Sequence, residues 1–129
     1  MIKIAVASQD FKTVGGHAGQ SRRWLVFGLD TGQPLRCLEH VQLSKEQVFH
    51  HWQDQGPHPL DGVTVMIAAS AGEGFLNRMR RRGIEMVMTG EGDAETAVLQ
   101  WAGQRVTPPK PRPIGQLLCK LHDLFSKHK

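Results

Sequence analysis

Val63-Thr64-Val65-Met66-Ile67-Ala68-Ala69, followed at once by Ser70-Ala71-Gly72-Glu73-Gly74, joins the most hydrophobic run of the chain to a glycine-rich turn. A run of apolar and β-branched residues without a charge suits a strand buried on both faces, as in a parallel sheet covered by helices. The turn must then deliver the chain into a helix, and Phe75, Leu76 and Met79 supply its inward stripe over about 73–82. Arg78, Arg80, Arg81 and Arg82 load the last turn, where cations suit the macrodipole, and Gly83 closes it. Ile84 to Met88 reads as the next strand. Asp93 caps a second helix, with Ala94, Ala97, Val98 and Trp101 at helical spacing and Gly103 as its stop.

Working back towards the start, Ile2 to Ala7 is another doubly buried strand, and Trp24 to Leu29 is a further one. Asp30-Thr31-Gly32 marks a tight turn into a strand from about Leu35 to Leu43, which makes an antiparallel hairpin. On that strand Leu35, Cys37, Val41 and Leu43 share one parity, so Cys37 is expected inward, as a small hydrophobe. Ser44 with Gln47 three residues later is a capping-box pattern, predicting a helix through Val48, Phe49, His50, His51 and Trp52 that ends near Gly56-Pro57. The order β–ββ–α–βα–βα predicts a five-stranded mixed sheet with helices on its faces, an α/β sandwich. Right-handed crossovers are expected between its fourth and fifth strands and, more loosely, between its third and fourth.

At 129 residues and 14.4 kDa there is room for one domain. No apolar run approaches the roughly 20 residues that span a bilayer. The opening residues read as a strand without a cleavage site, and two cysteines far apart cannot build a disulfide framework, so a reducing cytoplasm is the expected setting. Charge is uneven. Residues 1–103 carry ten Lys and Arg against eleven Asp and Glu, whereas 104–129 carry six against one. The net charge of +4 therefore belongs to the tail. There, Thr107-Pro108-Pro109-Lys110-Pro111-Arg112-Pro113 reads as an extended linker, and Ile114, Leu117, Leu118, Leu121, Leu124 and Phe125 as an amphipathic helix. That helix is expected to dock on the domain, on a second copy or on a partner.

Three glycine-rich segments follow the strands expected to be parallel: Gly15-Gly16-His17-Ala18-Gly19, Ser70-Ala71-Gly72-Glu73-Gly74 and Thr89-Gly90-Glu91-Gly92. Parallel strands end on one edge, where ligands of open α/β sheets bind, and helix N-termini there favour anions. Gly16 and Gly19 would let a bulky ligand approach the backbone, and N–H groups around Gly72, Gly74 and Gly90 would stabilise negative charge. Arg22 and Arg23 would add cationic help, and His17 is the candidate ligand. His50, His51 and His58 form a second histidine group, a secondary metal candidate whose favoured reading is a polar helix edge with a rigid turn. Cys119 and His122 share one side of the tail helix, but two ligands do not close a structural zinc site. No nucleophile–base pair, P-loop or dinucleotide fingerprint appears, and the first strand lacks the carboxylates a magnesium nuclease needs.

The first strand, the histidine–glycine loop, Val63 to Ala69, the glycine-rich turn and Arg82-Gly83-Ile84 together resemble, over about residues 1–103, the NifX/NafY family of nitrogenase iron–molybdenum cofactor carriers and accessory proteins. The resemblance implies a ribonuclease H-like three-layer sandwich, with His17 on the histidine implicated in cluster binding. Ala18 departs from the aromatic residue usual there. It implies a non-catalytic role, holding an iron–molybdenum cofactor or related iron–sulfur cluster between donor and acceptor proteins, with 104–129 as an appended linker and helix. Iron accepts imidazole nitrogen, and a single imidazole suits a carrier that must release its load. The alternative is an interaction module in which the basic tail recognises an acidic protein or a nucleic acid. Nucleic acid is the less expected of those partners, and a membrane is not expected.

Overall fold

The computed structural model describes residues 1–109; the expected tail helix, with Cys119 and His122, lies outside the described residues. Five strands form one sheet: β1 (Ile2–Ala7), β2 (Arg23–Leu29), β3 (Arg36–Gln42), β4 (Val65–Ala68) and β5 (Glu85–Met88). Two helices accompany it, α1 (Glu73–Arg81) and α2 (Ala94–Ala102). The strand order is β3-β2-β1-β4-β5, with β2 antiparallel to both neighbours and β1, β4 and β5 mutually parallel. The expected α/β architecture with a mixed five-stranded sheet is therefore present. Neither helix is long and apolar enough to cross a membrane.

Strand alternation sorts the core into two clusters, one on each face of the sheet. On one face Ala5, Trp24, Val26, Met66 and Ala68 pack with Phe49, Leu60 and, from α1, Met79. On the other, Ile4, Val6, Leu25, Phe27, Val65 and Ile67 pack under Ala94, Ala97 and Val98 of α2. Inner strands covered on both faces are why Ala5 to Ala7 and Val65 to Ala68 carry unbroken apolar sequence.

The helix ends are set by local chemistry. Asp93 accepts from Thr96 N at 2.8 Å and so caps α2. At the other end of α1, Gly83 takes φ +75°, donating to Arg80 O while Ile84 N donates to Met79 O. This pair of bonds is a Schellman stop, and it turns the chain directly into β5.

Two expectations are corrected. Residues 45–51 form successive turns and 52–56 an irregular stretch, in place of the expected helix. Half of the capping box is made: Ser44 N donates to the Gln47 side chain at 3.0 Å, while the Gln47 and Val48 amides donate to the Ser44 carbonyl at 3.0 and 3.2 Å. One turn later, however, His50 N donates to Gly19 O at 2.7 Å, so a tertiary bond diverts the amide that helix propagation requires. Cys37 is exposed, not inward. A β-bulge between Val26 and Phe27 shifts the pairing so that Val41 stands opposite Trp24, but Cys37 opposite Phe27. Parity changes face at that point, and Cys37 is carried to the α2 side of an edge strand. Partial burial and the nearby Glu95 carboxylate push its thiol pKa up.

Candidate functional site

The long β1–β2 connection is fastened to both of the other glycine-rich turns. Ala18 N donates to Ser70 O at 2.9 Å, and His17 and Ser70 form an isolated parallel bridge. Val14 N donates to Gly92 O at 2.7 Å, Ala94 N donates to Lys12 O at 3.0 Å, and Thr13 bridges Asp93. The three loops thus converge on the edge where β1, β4 and β5 end, as parallel strands require.

Asp10 organises the start of this connection. Its carboxylate accepts from Lys12 N at 2.9 Å, from Thr13 N at 2.8 Å, and from the hydroxyls of Thr13 and Ser8. The Thr13 and Lys12 amides hold its pKa far below the usual carboxylate range. A depressed folded-state pKa means stability that is complete above the unfolded-state value and fades as the pH falls towards the folded one. Asp10→Asn should therefore be less stable than wild type near neutrality. The difference should shrink below about pH 3.9, the ordinary aspartate value, in urea titrations of both proteins across that range. A gap that widens on acidification would contradict this role for Asp10.

Past the loop, Gly16 takes φ +74°, a left-handed conformation that suits glycine, and Ala18 to Gln20 make a single 3-10 turn with Ala18 and Gly19 buried. This places the half-buried His17 ring across the β4–α1 turn. Its Nδ1 lies 3.0 Å from Ser70 Oγ. Its Nε2 lies beside Gly72, where a β-carbon would stand 3.6 Å away. The ring borders a cleft of about 380 Å³, shared with Gly19, Gln20, Phe49, His50, Gly72, Gly74, Phe75 and Arg78. No side chain caps the Gly72 end of α1, so that cleft wall is the positive end of a helix dipole.

The predicted site residues divide on this geometry. His17, Gly19, Gly72, Gly74 and His50 meet in the cleft, with Gly16 shaping the approach. Arg22 and Arg23 do not; they line a separate recess with Gln9 and Gln42 and donate to Leu43 O and Gln9 O. Gly90 sits on the same edge, but its N–H is donated to Thr107 O at 3.1 Å, which is also bonded by the Thr89 hydroxyl. The neighbouring Gly92 and Asp93 amides are taken by the Glu91 carboxylate. That loop is satisfied internally and has little left for an anion.

His51 lines a different depression, with Trp52 and Lys45, although the His50 and His51 rings are 5.1 Å apart. His58 is buried and fully engaged: its Nδ1 accepts from Leu60 N at 3.1 Å, and its Nε2 donates to Gln47 O at 2.7 Å. With both nitrogens committed and its ring stacked on Phe49, it is a core residue, not a metal ligand. Among the described residues, His, Cys, Asp and Glu nowhere gather in threes that could hold a metal ion.

Two residues of the site carry no sign of their role in the sequence. Ser70, which holds the His17 ring without lining the cleft, reads only as part of a glycine-rich turn, because nothing in its spacing announces contact with residue 17. Arg78 reads as a helix-terminal cation; in the fold it lines the cleft, donates to Phe49 O at 2.7 Å and Trp52 O at 2.8 Å, and pairs with Asp54 at 2.8 Å. It braces the 49–54 segment, whose Phe49 and His50 line the cleft, and Asp54 offsets its charge.

The family model described as dinitrogenase iron-molybdenum cofactor matches residues 1–104. Among solved structures, the crystal structure of PH0822 is similar with a TM-score of 0.63 and 16% identity, over 82% of this chain and 94% of that one. The NMR structure of a NifB candidate from Thermotoga is similar with a TM-score of 0.55 and 15% identity, over 88% of this chain and 99% of that one. At such identities the likeness is one of fold. No curated protein matches.

Proposed function

The chain belongs to the dinitrogenase iron-molybdenum cofactor family, and from that membership we propose that it is a non-catalytic carrier that binds an iron–molybdenum cofactor or a related iron–sulfur cluster in the His17 cleft. The observation that carries this reading is the placement of His17, with Nδ1 held by Ser70 and Nε2 at the cleft mouth beside a residue that has no side chain. The cargo enters as a preassembled anionic cluster with an accessible iron, which accepts imidazole nitrogen. Two imidazoles, His17 and His50, and an uncapped helix N-terminus supply attraction without a cage. A bare ion in a structural site takes four protein ligands, so the donor set present suits a cluster that brings most of its own ligands.

In this reading the sheet is a ribonuclease H-like platform, supported by the order β3-β2-β1-β4-β5 with β2 antiparallel, and catalysis has no part in it. Donor and acceptor proteins in the cytoplasm would load and unload the cleft. One attachment through an imidazole keeps release feasible, which is what transfer demands. The basic tail is then an accessory and not the binding site.

The test is anaerobic incubation with isolated iron–molybdenum cofactor, followed by desalting and EPR of the protein fraction. The full chain should retain the cofactor, and so should a chain ending at Pro109. Retention by the full chain alone would move the site to the tail, and retention by neither would overturn the carrier reading.

A further inference from the structure

We propose that Ser70 is a positioning residue that sets the proton on His17, a role that rests on the reading of His17 as the cluster ligand. An imidazole binds a metal through a nitrogen lone pair, so ligation by Nε2 requires the ring proton on Nδ1. Ser70 Oγ lies 3.0 Å from that Nδ1, within reach to accept its N–H. Ligating histidines in metal sites commonly donate their second ring N–H to a fixed oxygen, which orients the ring and sets its tautomer.

The backbone that carries this serine is well fixed. Ser70 lies two residues beyond β4, its carbonyl accepts the Ala18 amide at 2.9 Å, and the backbones of residues 17 and 70 form a bridge. The ring is therefore tied by its neighbour's backbone and by one side-chain bond to the same residue. Only Nε2 is left facing the gap over Gly72. With Nδ1 engaged by Ser70, Nε2 is the nitrogen left to ligate, and the cleft would accept a cluster through one iron–nitrogen bond of defined direction.

The test reads the tautomer without the cargo. Long-range nitrogen–proton correlation spectra of the apo full chain should show His17 protonated at Nδ1 in its neutral form. Ser70→Ala should move a substantial part of that population to Nε2, and Ser70→Thr, which keeps the hydroxyl, should restore it. Cofactor affinity should fall about 10- to 100-fold in Ser70→Ala, the range seen when such supporting partners are removed, and recover in Ser70→Thr. An unchanged tautomer in Ser70→Ala would overturn the proposal whatever the cofactor does. If the tautomer shifts but the wild type binds no cofactor, the hold of Ser70 on the ring stands and the ligand reading falls.

Discussion

His17→Ala should lower affinity for the iron–molybdenum cofactor by on the order of 100-fold or more, because removing a ligand costs at least as much as removing the group that orients it. The fold should survive. The ring is half-buried, its side-chain bond is to Ser70 alone, and the loop keeps its backbone bonds from Ala18 N to Ser70 O and from His50 N to Gly19 O. Gly72→Ala offers a second route to the same loss without touching the ligand. Gly72 has φ −75° and ψ 158°, which any residue can adopt, and the new methyl would lie 3.6 Å from Nε2, an ordinary contact. It would nevertheless stand where an incoming iron must approach. Circular dichroism and urea titration should show both variants folded, while titration of cofactor followed by desalting shows both impaired. Full uptake by Gly72→Ala would mean that the cluster does not come in past Nε2.

His58→Ala should destabilise the domain by about 2–4 kcal/mol, combining a buried and a half-buried polar group left without partners with lost aromatic packing. The groups are Leu60 N–H and Gln47 O, both bonded by the ring, which is 6% exposed. The ring also lies 4.7 Å from Phe49 and 4.9 Å from Trp52 between centroids. His58→Phe should recover part of the loss by restoring the stack but not the bonds. His51→Ala, at an exposed position, should change stability by no more than about 0.5 kcal/mol. Urea denaturation distinguishes the three. Equal, small effects at His51 and His58 would show that His58 does not hold the 47–60 segment together.

How far the sequence carried depends on whether a feature is local. The Asp93 cap and the Gly83 stop are decided by residues within one turn, and both are where the sequence places them. The inner strands β1 and β4 were legible because burial on both faces leaves a run with no polar alternation. The 44–56 segment failed because its capping box is only half formed and the His50 amide goes to Gly19 O, a bond that no local pattern encodes. Cys37 failed through one bulged residue, after which every parity argument inverts. At the site, convergence of the loops followed from strand direction. Which cation and which amide face the cleft did not, since Arg78 and Gly90 are set by contacts with Phe49, Trp52 and Thr107.

The central claim is a bond between His17 Nε2 and cluster iron, and pulsed EPR on cofactor-loaded protein with nitrogen-15 histidine addresses it most directly. The spectrum should contain a histidine nitrogen coupling that changes with the isotope and disappears in the residual cofactor bound by His17→Ala. Loaded wild-type protein with no histidine coupling, or a coupling that persists in His17→Ala, would contradict the assignment.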